Sequence, residues 1–421
     1  MVWKDINGEK DEGDAEVEGK HFKFYCFIIA LIVTVPLLVT IVNSIAVNFG
    51  RAPLLQEADL SGVVHIPEKP SFSLDAFLSG EFESEIENYF SYHLATRKTQ
   101  TRFYNQLLYT LLHSSANRDI LVGREDYLFE KSYASAYLTE LTPERKKDLS
   151  SKVTDLARLA ALLNERGVPL VVRISPSKAE HYPEYLPISY QRFVKMKHNG
   201  EYSANWYQAF CEELRKSDIL VYDRYELMEE MKQEGEIVFA KGGTHWTLAP
   251  MAEYLNGLME YIEPTLGCKL GRMVENERVI INGEMGAVED DDIWKICWNA
   301  FNVQPSYPSP HISYSTVPGD GTDVRVFTVG QSFTTLPLRT LYSVPQPIWK
   351  ETWFSWYNSR VICYPSDFPW GTEIAQQTDD YEHYLEMDII IIEFLECGAG
   401  DAQFAFVDNM LEYLEGSELS V

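Results

Sequence analysis

The chain has 421 residues, enough for one large or two ordinary domains behind an anchor, and its 45% hydrophobic content is ample for a packed core. A formal net charge of -27 argues against nucleic-acid binding, which needs a basic face to displace counterions. The 25 Tyr and 9 Trp fill cores and also supply faces of the kind that stack on sugars.

The first element is apolar. No charged residue occurs from Phe24 to Gly50, and "FYCFIIALIVTVPLLVTIV" is long enough to cross a bilayer core of about 30 Å. Lys4, Lys10, Lys20 and Lys23 precede it and only Arg51 follows closely, which places the N-terminus in the cytoplasm and the bulk of the chain outside. A cleaved signal peptide, with small residues at Ser44-Ile45-Ala46, is the rival reading. The expected organisation is a cytoplasmic tail over 1–23, a transmembrane anchor over 24–48, a linker over 49–75 and one catalytic-type domain over 76–421.

One or two helices are expected over 76–113, and "DILVGREDYLFE" (119–130) reads as a hairpin. A clear helix follows, with Thr142 as its cap, Pro143 at its first position and Val153, Leu156, Leu159, Ala160 and Leu163 as its apolar stripe. Gly167 ends it, and "VPLVVRISP" (168–176) is an apolar strand of the kind buried in a parallel sheet. A helix near 203–216, a strand in "DILVYD" (218–223), a helix in "LAPMAEYLNGLMEYI", and strands in "DVRVFTVG" (323–330) and "DIIIIEFL" (388–395) continue the pattern. Strands alternating with helices define an α/β layered domain with a mainly parallel sheet. Residues 268–320, with "EDDD" at 289–292 and several prolines, fit this pattern poorly and read as an insertion or substrate-facing loop.

In open α/β sheets, reactive residues sit where strands end at their carboxyl edge. "VFTVGQSFTT" places Gly330-Gln331-Ser332 right after a strand, where a serine on a sharp turn is a candidate nucleophile and nearby backbone N–H groups can hold an oxyanion. The bland alternative is a serine capping a helix, since the second glycine of a nucleophile elbow is Thr334 here. In "FAKGGTHWTLAP" (239–250), His245 follows a Gly-Gly turn and precedes a helix, as a general base would. Trp246 packs under it or stacks on a sugar ring. "SPSKAEHYPEYLP" (175–187) also follows a strand, so Lys178 and His181 are candidates to face the same cleft. Tyr357 and Arg360, in "WYNSR", are candidates for an oxyanion donor or glycan contact.

Six cysteines without a CxxC pair give no zinc signature, leave room for one or two disulfides, and imply no metal or cofactor.

The pieces "ENYFSYHLATRKTQTRFYNQL", "LVGREDYLFE", "ISPSKAEHYPEYLP", "GTHWT", "VFTVGQSF" and "DIIIIEFLE", in this order over about 76–400, resemble the alginate O-acetylation proteins of the AlgJ/AlgX type, within the SGNH-hydrolase-like superfamily. The resemblance implies a three-layer SGNH-type domain on the outer side of a bacterial inner membrane. It also implies transfer of acetyl groups to polysaccharide hydroxyls, with the donor supplied through a membrane-bound O-acyltransferase. Carried over by position, the family serine falls on Ser332 and its histidine on His245.

Two departures stand out. Gly-Asp-Ser is Gly330-Gln331-Ser332 here, and Asp-x-His-Trp is Gly243-Thr244-His245-Trp246, so the carboxylate that orients the base is missing. That loss can cost about 10⁴ in rate. A carboxylate from elsewhere (Asp223, Glu180 or Asp367), a Ser–His dyad held by a backbone carbonyl, and a non-catalytic binding or scaffold role are the three readings. A plain carbohydrate esterase is a further one.

Overall fold

In the computed structural model, the described residues are 12–57, 60, 66–201, 204–282, 284–299, 309–344, 346, 348–368, 370–375, 379–398 and 400–418. They divide into two compact units, Met1–Leu108 with Trp298–Phe301, and Tyr109–Cys297 with Asn302–Val421. The short helices of the first unit are sparsely buried: two have no buried residue and the third buries only Asn105.

The first unit begins with α1 (Glu12–Asn48), whose stretch His21–Asn48 is long and apolar enough to cross a membrane, with mean hydropathy 2.7. Where one or two helices were expected there are three: α2 (Leu74–Ser79), α3 (Glu81–His93) and α4 (Arg97–Leu112). Gly80 ends α2 in the left-handed region at φ 78°, and extended Leu94 separates α3 from α4.

In the second unit, β1 (Ile120–Val122) and β2 (Leu128–Glu130) form the expected antiparallel hairpin, followed by α5 (Lys131–Leu138) and α6 (Pro143–Glu165). The Thr142 side chain accepts from the Arg145 N–H and so caps α6, while Leu149, Val153, Leu156, Leu159 and Leu163 are buried along one face. Next come β3 (Leu170–Ser175), α7 (Lys178–His181), α8 (Ile188–His198), α9 (Trp206–Leu214), β4 (Leu220–Tyr222), α10 (Tyr225–Gln233) and α11 (Leu248–Leu266). An excursion follows, in which β5 (Arg272–Val279) and β6 (His311–Val317) form a separate antiparallel ribbon, and α12 (Asp292–Ile296) lies between them in sequence. The remaining elements are β7 (Arg325–Gly330), α13 (Ser332–Ser343), β8 (Glu351–Trp356), β9 (Arg360–Tyr364), β10 (Thr372–Ala375), α14 (Tyr381–Tyr384), β11 (Ile389–Leu395) and α15 (Asp401–Glu418).

The central sheet runs β10-β9-β8-β7-β11-β3-β4. Its pairs from β8 to β4 are parallel, and β9 and β10 add an antiparallel edge. Side-chain alternation then divides the core in two. Val171, Ile389, Ile391 and Val326 point to one face, against Leu255 and Leu258 of α11 and Phe333 and Leu336 of α13. Val172, Ile390, Ile392 and Phe327 point to the other, against α6, α9 and α15. The result is the expected three-layer SGNH-like α/β architecture. No disulfide joins any of the six cysteines.

Candidate active site

Ser332 opens α13 directly beyond the carboxyl end of β7. The turn is fixed from below by a carboxylate on the neighbouring strand. Glu393 of β11 accepts the Gln331 N–H at 2.9 Å, the Thr334 hydroxyl at 2.7 Å and the Ser175 hydroxyl at 2.5 Å, and it pairs with Arg173. Arg173 also donates to Thr334 at 2.9 Å. All of these side chains are buried, so the ion pair is both paired and hydrogen-bonded, as a buried charge requires.

Gly330 is needed here for space. A Cβ at this position would lie 2.5 Å from the Thr334 hydroxyl and 2.8 Å from the Glu393 carboxylate. Glu393 occupies the Gln331 amide, and the Ser332 N–H is a first-turn donor with no intrahelical acceptor. Gln331 itself is buried, its side chain 3.4 Å from Gln403.

His245 lies on the loop between α10 and α11. Its ring centroid is 4.6 Å from that of Phe333, which places the imidazole beside the residue that follows Ser332. Trp246 is fully buried against Tyr254, ring centroids 5.0 Å apart, and takes the packing role; it has no face to offer a sugar.

The carboxylate partner of His245 is Asp292. Nδ1 and Oδ2 are 2.6 Å apart, and the other carboxylate oxygen accepts the Thr244 N–H at 2.9 Å. The remaining ring nitrogen, Nε2, is buried without a partner. Burial pulls the imidazole pKa down, but the hydrogen bond with Asp292 and the charges of Asp292, Glu289 and Glu130 outweigh it. The net position is above the ordinary histidine value. None of the three carboxylates expected as substitutes has this role. Asp223 accepts from Tyr207 at 2.8 Å, Glu180 from Asn205 at 2.5 Å, and Asp367 lines a surface cavity with Phe368.

Asp292 arrives on the 268–320 excursion, and the same excursion explains Gly243. A Cβ on Gly243 would stand 2.5 Å from the Glu289 carbonyl oxygen and 2.8 Å from the Asp290 carbonyl carbon. The backbone that delivers Asp292 therefore fills the space a side chain at 243 would use. The "EDDD" run is no solvated face: Glu289, Asp290 and Asp291 are all buried. Glu289 pairs with Arg339 of α13, Asp290 accepts from Ser309 and from the Ala287 N–H, and the Trp294 N–H donates to the Gly242 carbonyl at 2.9 Å. Ile293 and Trp294 pack against β1 and β2. That apolar pair following the acids was the available sequence signal that this stretch is packed.

A second acid was missed altogether. Glu130, at the end of β2, hydrogen-bonds the Thr244 side chain and feels the charges of Asp292 and His245. Burial raises its pKa. The backbone places it there, since the Leu128 N–H donates to the Lys241 carbonyl at 2.8 Å.

The other expected residues distribute as follows. Tyr357 lies beyond β8 beside Gly330, whose carbonyl accepts its N–H at 2.9 Å; its φ is 51° and its side chain is exposed. Arg360 lies over the Trp356 ring at 3.8 Å and pairs with Glu373 at 3.2 Å. The expectation that Lys178 and His181 face a cleft is corrected, because both are buried and committed internally. Lys178 donates to the carbonyls of Ala240, Lys241 and Gly243 at 2.7, 2.9 and 2.7 Å, and so ties down the loop that leads to His245. His181 bridges Glu229 at 2.5 Å and Glu396 at 3.2 Å. Among the described residues there is no group of three or more His, Cys, Asp or Glu side chains placed to hold a metal ion.

The domain is a three-layer, SGNH-like α/β sheet, with Ser332 opening the helix beyond β7 and His245, paired with Asp292, on a loop beside Phe333. Residues 120–267 match the family model of the SGNH hydrolase-like domain of the acetyltransferase AlgX, a span that includes His245 and ends before Asp292 and Ser332. The chain is 24% identical over 170 residues to a probable alginate O-acetylase AlgJ of Pseudomonas fluorescens, and 25% identical over 181 residues to that of Pseudomonas aeruginosa. These matches cover 40% and 42% of each chain, so the chain spans about two fifths of the length of these relatives. Among solved structures, the O-acetyltransferase domain of Pseudomonas putida AlgJ is similar, with 18% identity, a TM-score of 0.43, and coverage of 69% of this chain and 98% of that one. Pseudomonas aeruginosa AlgX gives 15% identity and a TM-score of 0.41, with 69% and 66% covered. The chain is AlgJ/AlgX-like, and its resemblance to this SGNH-like acetyltransferase family holds.

Proposed function

We propose that this chain is a membrane-anchored O-acetyltransferase that moves an acetyl group onto a hydroxyl of a cell-envelope or exported polysaccharide. The observation that carries the reading is the His245–Asp292 contact of 2.6 Å, which leaves Nε2 buried and unpartnered beside the start of α13. The catalytic pair is Ser332 and His245, with Asp292 holding the ring.

His245 Nε2 takes the proton of the Ser332 hydroxyl as the oxygen attacks the acetyl carbonyl of the donor. The tetrahedral oxyanion meets the Ser332 N–H at the positive end of α13, with Tyr357 near the same edge. Collapse expels the leaving group, which receives the proton from His245. A sugar hydroxyl then gives its proton to His245 and attacks the acyl-serine, forming the sugar acetate. His245 returns that proton to Ser332. The Glu393 network sets the turn, and the charge of Asp292 stabilises the imidazolium formed in each half-reaction. Arg360 and Trp356 offer a cation and an aromatic surface near the same edge for the glycan.

The apolar stretch His21–Asn48 is compatible with a single-pass anchor in the bacterial inner membrane, its N-terminus cytoplasmic and the catalytic unit outside. The acetyl donor then arrives through a membrane-bound O-acyltransferase partner, and no cofactor is needed. Incubation with an acetyl ester should leave an acetyl mass on the peptide containing Ser332, and Ser332→Ala should abolish both this adduct and turnover. Full activity in His245→Ala would overturn the mechanism. Acetate release that an added oligosaccharide never diverts into sugar ester would make the protein an esterase.

A further inference from the structure

The helices between the apolar stretch and the catalytic unit are built the wrong way round for water. Leu74, Phe77 and Leu78 of α2, and Phe103 and Leu107 of α4, recur at helical spacing and are exposed, Leu78 by 75%. Neither α2 nor α3 has a buried residue, and α4 buries only Asn105. Helices this short with their apolar faces in water are not stable, because packing of that face supplies most of a helix's stability.

The location of this layer along α1 says what covers it. Pro36, Val39, Thr40, Asn43 and Ala46 make one face of α1, and this is the face withdrawn from solvent. The Thr40 hydroxyl accepts the Ala95 N–H at 2.9 Å, and the Asn43 side chain pairs with both backbone groups of Leu55, at 2.9 and 3.2 Å. Glu57 accepts the N–H groups of Lys98 and Thr99 at 2.8 and 2.9 Å and caps α4 from a distance. Counted from Phe24, the run to Val42 spans ~28 Å at about 1.5 Å per residue, close to a hydrocarbon core of about 30 Å. Read as a span that starts at Phe24 with its N-terminus cytoplasmic, α1 would carry Thr40 and Asn43 at the outer boundary of that core. In the turn at residues 94–98 the N–H groups of Ala95, Arg97 and Lys98 are satisfied internally, as an apolar setting demands. On the same reading Arg97, Lys98 and Arg102, which follow this turn, would fall at headgroup level. The acids Glu81, Glu83, Glu85 and Glu87 of α3 favour zwitterionic over anionic lipid.

We propose that residues 72–107 form an amphipathic layer seated in the outer hydrocarbon–headgroup boundary of the bilayer against α1. The apolar side chains of α2 and α4 enter the acyl region. The proposal rests on reading α1 as the membrane span. It is tested with the full chain in nanodiscs of phosphatidylcholine carrying a photoactivatable diazirine in the acyl chain, with lipid adducts mapped by mass spectrometry. Expected are adducts on peptides covering 21–48 and also on those covering 72–79 and 103–108, several-fold above any peptide of 131–267. Adducts confined to 21–48 would overturn the layer and leave the anchor standing. Adducts absent from 21–48 as well would overturn both. In Phe103→Glu/Leu107→Glu, labelling of 103–108 should fall to the level of 131–267 while that of 21–48 persists. Unchanged labelling of 103–108 in this variant would also overturn the proposal.

Discussion

The serine side and the histidine side of the site are held by different kinds of structure. Ser332 stands at the junction of a strand and a helix and is fixed by the next strand of the same sheet, through Glu393. His245 is fixed by an excursion from the sheet, through a residue 47 positions further along the chain. A sheet edge is a framework on which a turn can be placed from local pattern alone. A histidine held by an excursion depends on a contact that no periodicity announces.

The largest expected effect breaks the histidine side. Asp292→Asn keeps the shape and removes the charge, and turnover should fall by about 10⁴, as when an orienting carboxylate is lost from a serine–histidine site. The pH profile gives a second readout. As the proposed base, His245 would act only when neutral, and its pKa is raised by Asp292 against the pull of burial, so wild-type activity should drop as pH falls through a value above the ordinary histidine pKa. Removing the carboxylate should move this acid limb to lower pH. A loss of turnover with the limb unmoved would mean that Asp292 only supports the loop.

The serine side breaks through Glu393. In Glu393→Gln, Arg173 keeps its charge in a buried site without a carboxylate, which should cost about 3–5 kcal/mol of stability in a denaturant titration. The pH limb of any surviving activity should stay where the wild type has it, since the pair does not touch His245. A shifted limb would show that the two sides share one electrostatic unit.

These variants also mark what was legible in the sequence. Apolar runs such as "VVRIS" and "DIIIIEFL" have to be buried on both faces, so β3 and β11 could be placed before any contact was known. The α6 cap and stripe were equally plain. Strands β8 and β9 were not, because their buried and partly exposed positions are mixed rather than continuous. At the site, Ser332 and His245 stand out by their flanking glycines. Asp292 does not, because a buried acid and a solvated one look alike in a run such as "EDDD". Lys178 and His181 misled for the same reason: charged residues after a strand read as exposed, whereas here each is matched to internal partners.

Gly243→Asp tests whether a carboxylate at 243 can stand in for Asp292. The new side chain would meet the backbone of Glu289 and Asp290, so strain of about 1–3 kcal/mol is expected, and a combined Gly243→Asp/Asp292→Ala variant should stay as impaired as the single loss. The clash is with backbone, so it cannot be relieved by a change of rotamer. Restored turnover in the combined variant would show that the excursion yields easily, and that the histidine side is less dependent on it than the geometry indicates.

The smallest effect belongs to the framework. Thr142 caps α6, whose buried stripe belongs to the face of the sheet away from α11 and α13. Thr142→Ala removes one acceptor from the first turn and should cost about 1 kcal/mol in a denaturant titration. Turnover and its pH limb should be unchanged, because Leu156, Leu159 and Leu163 still hold the helix against the sheet after its first turn frays. A rate loss out of proportion to so small a loss of stability would couple that face to the site, and the separation between framework and catalytic loop would then fail at its most local element.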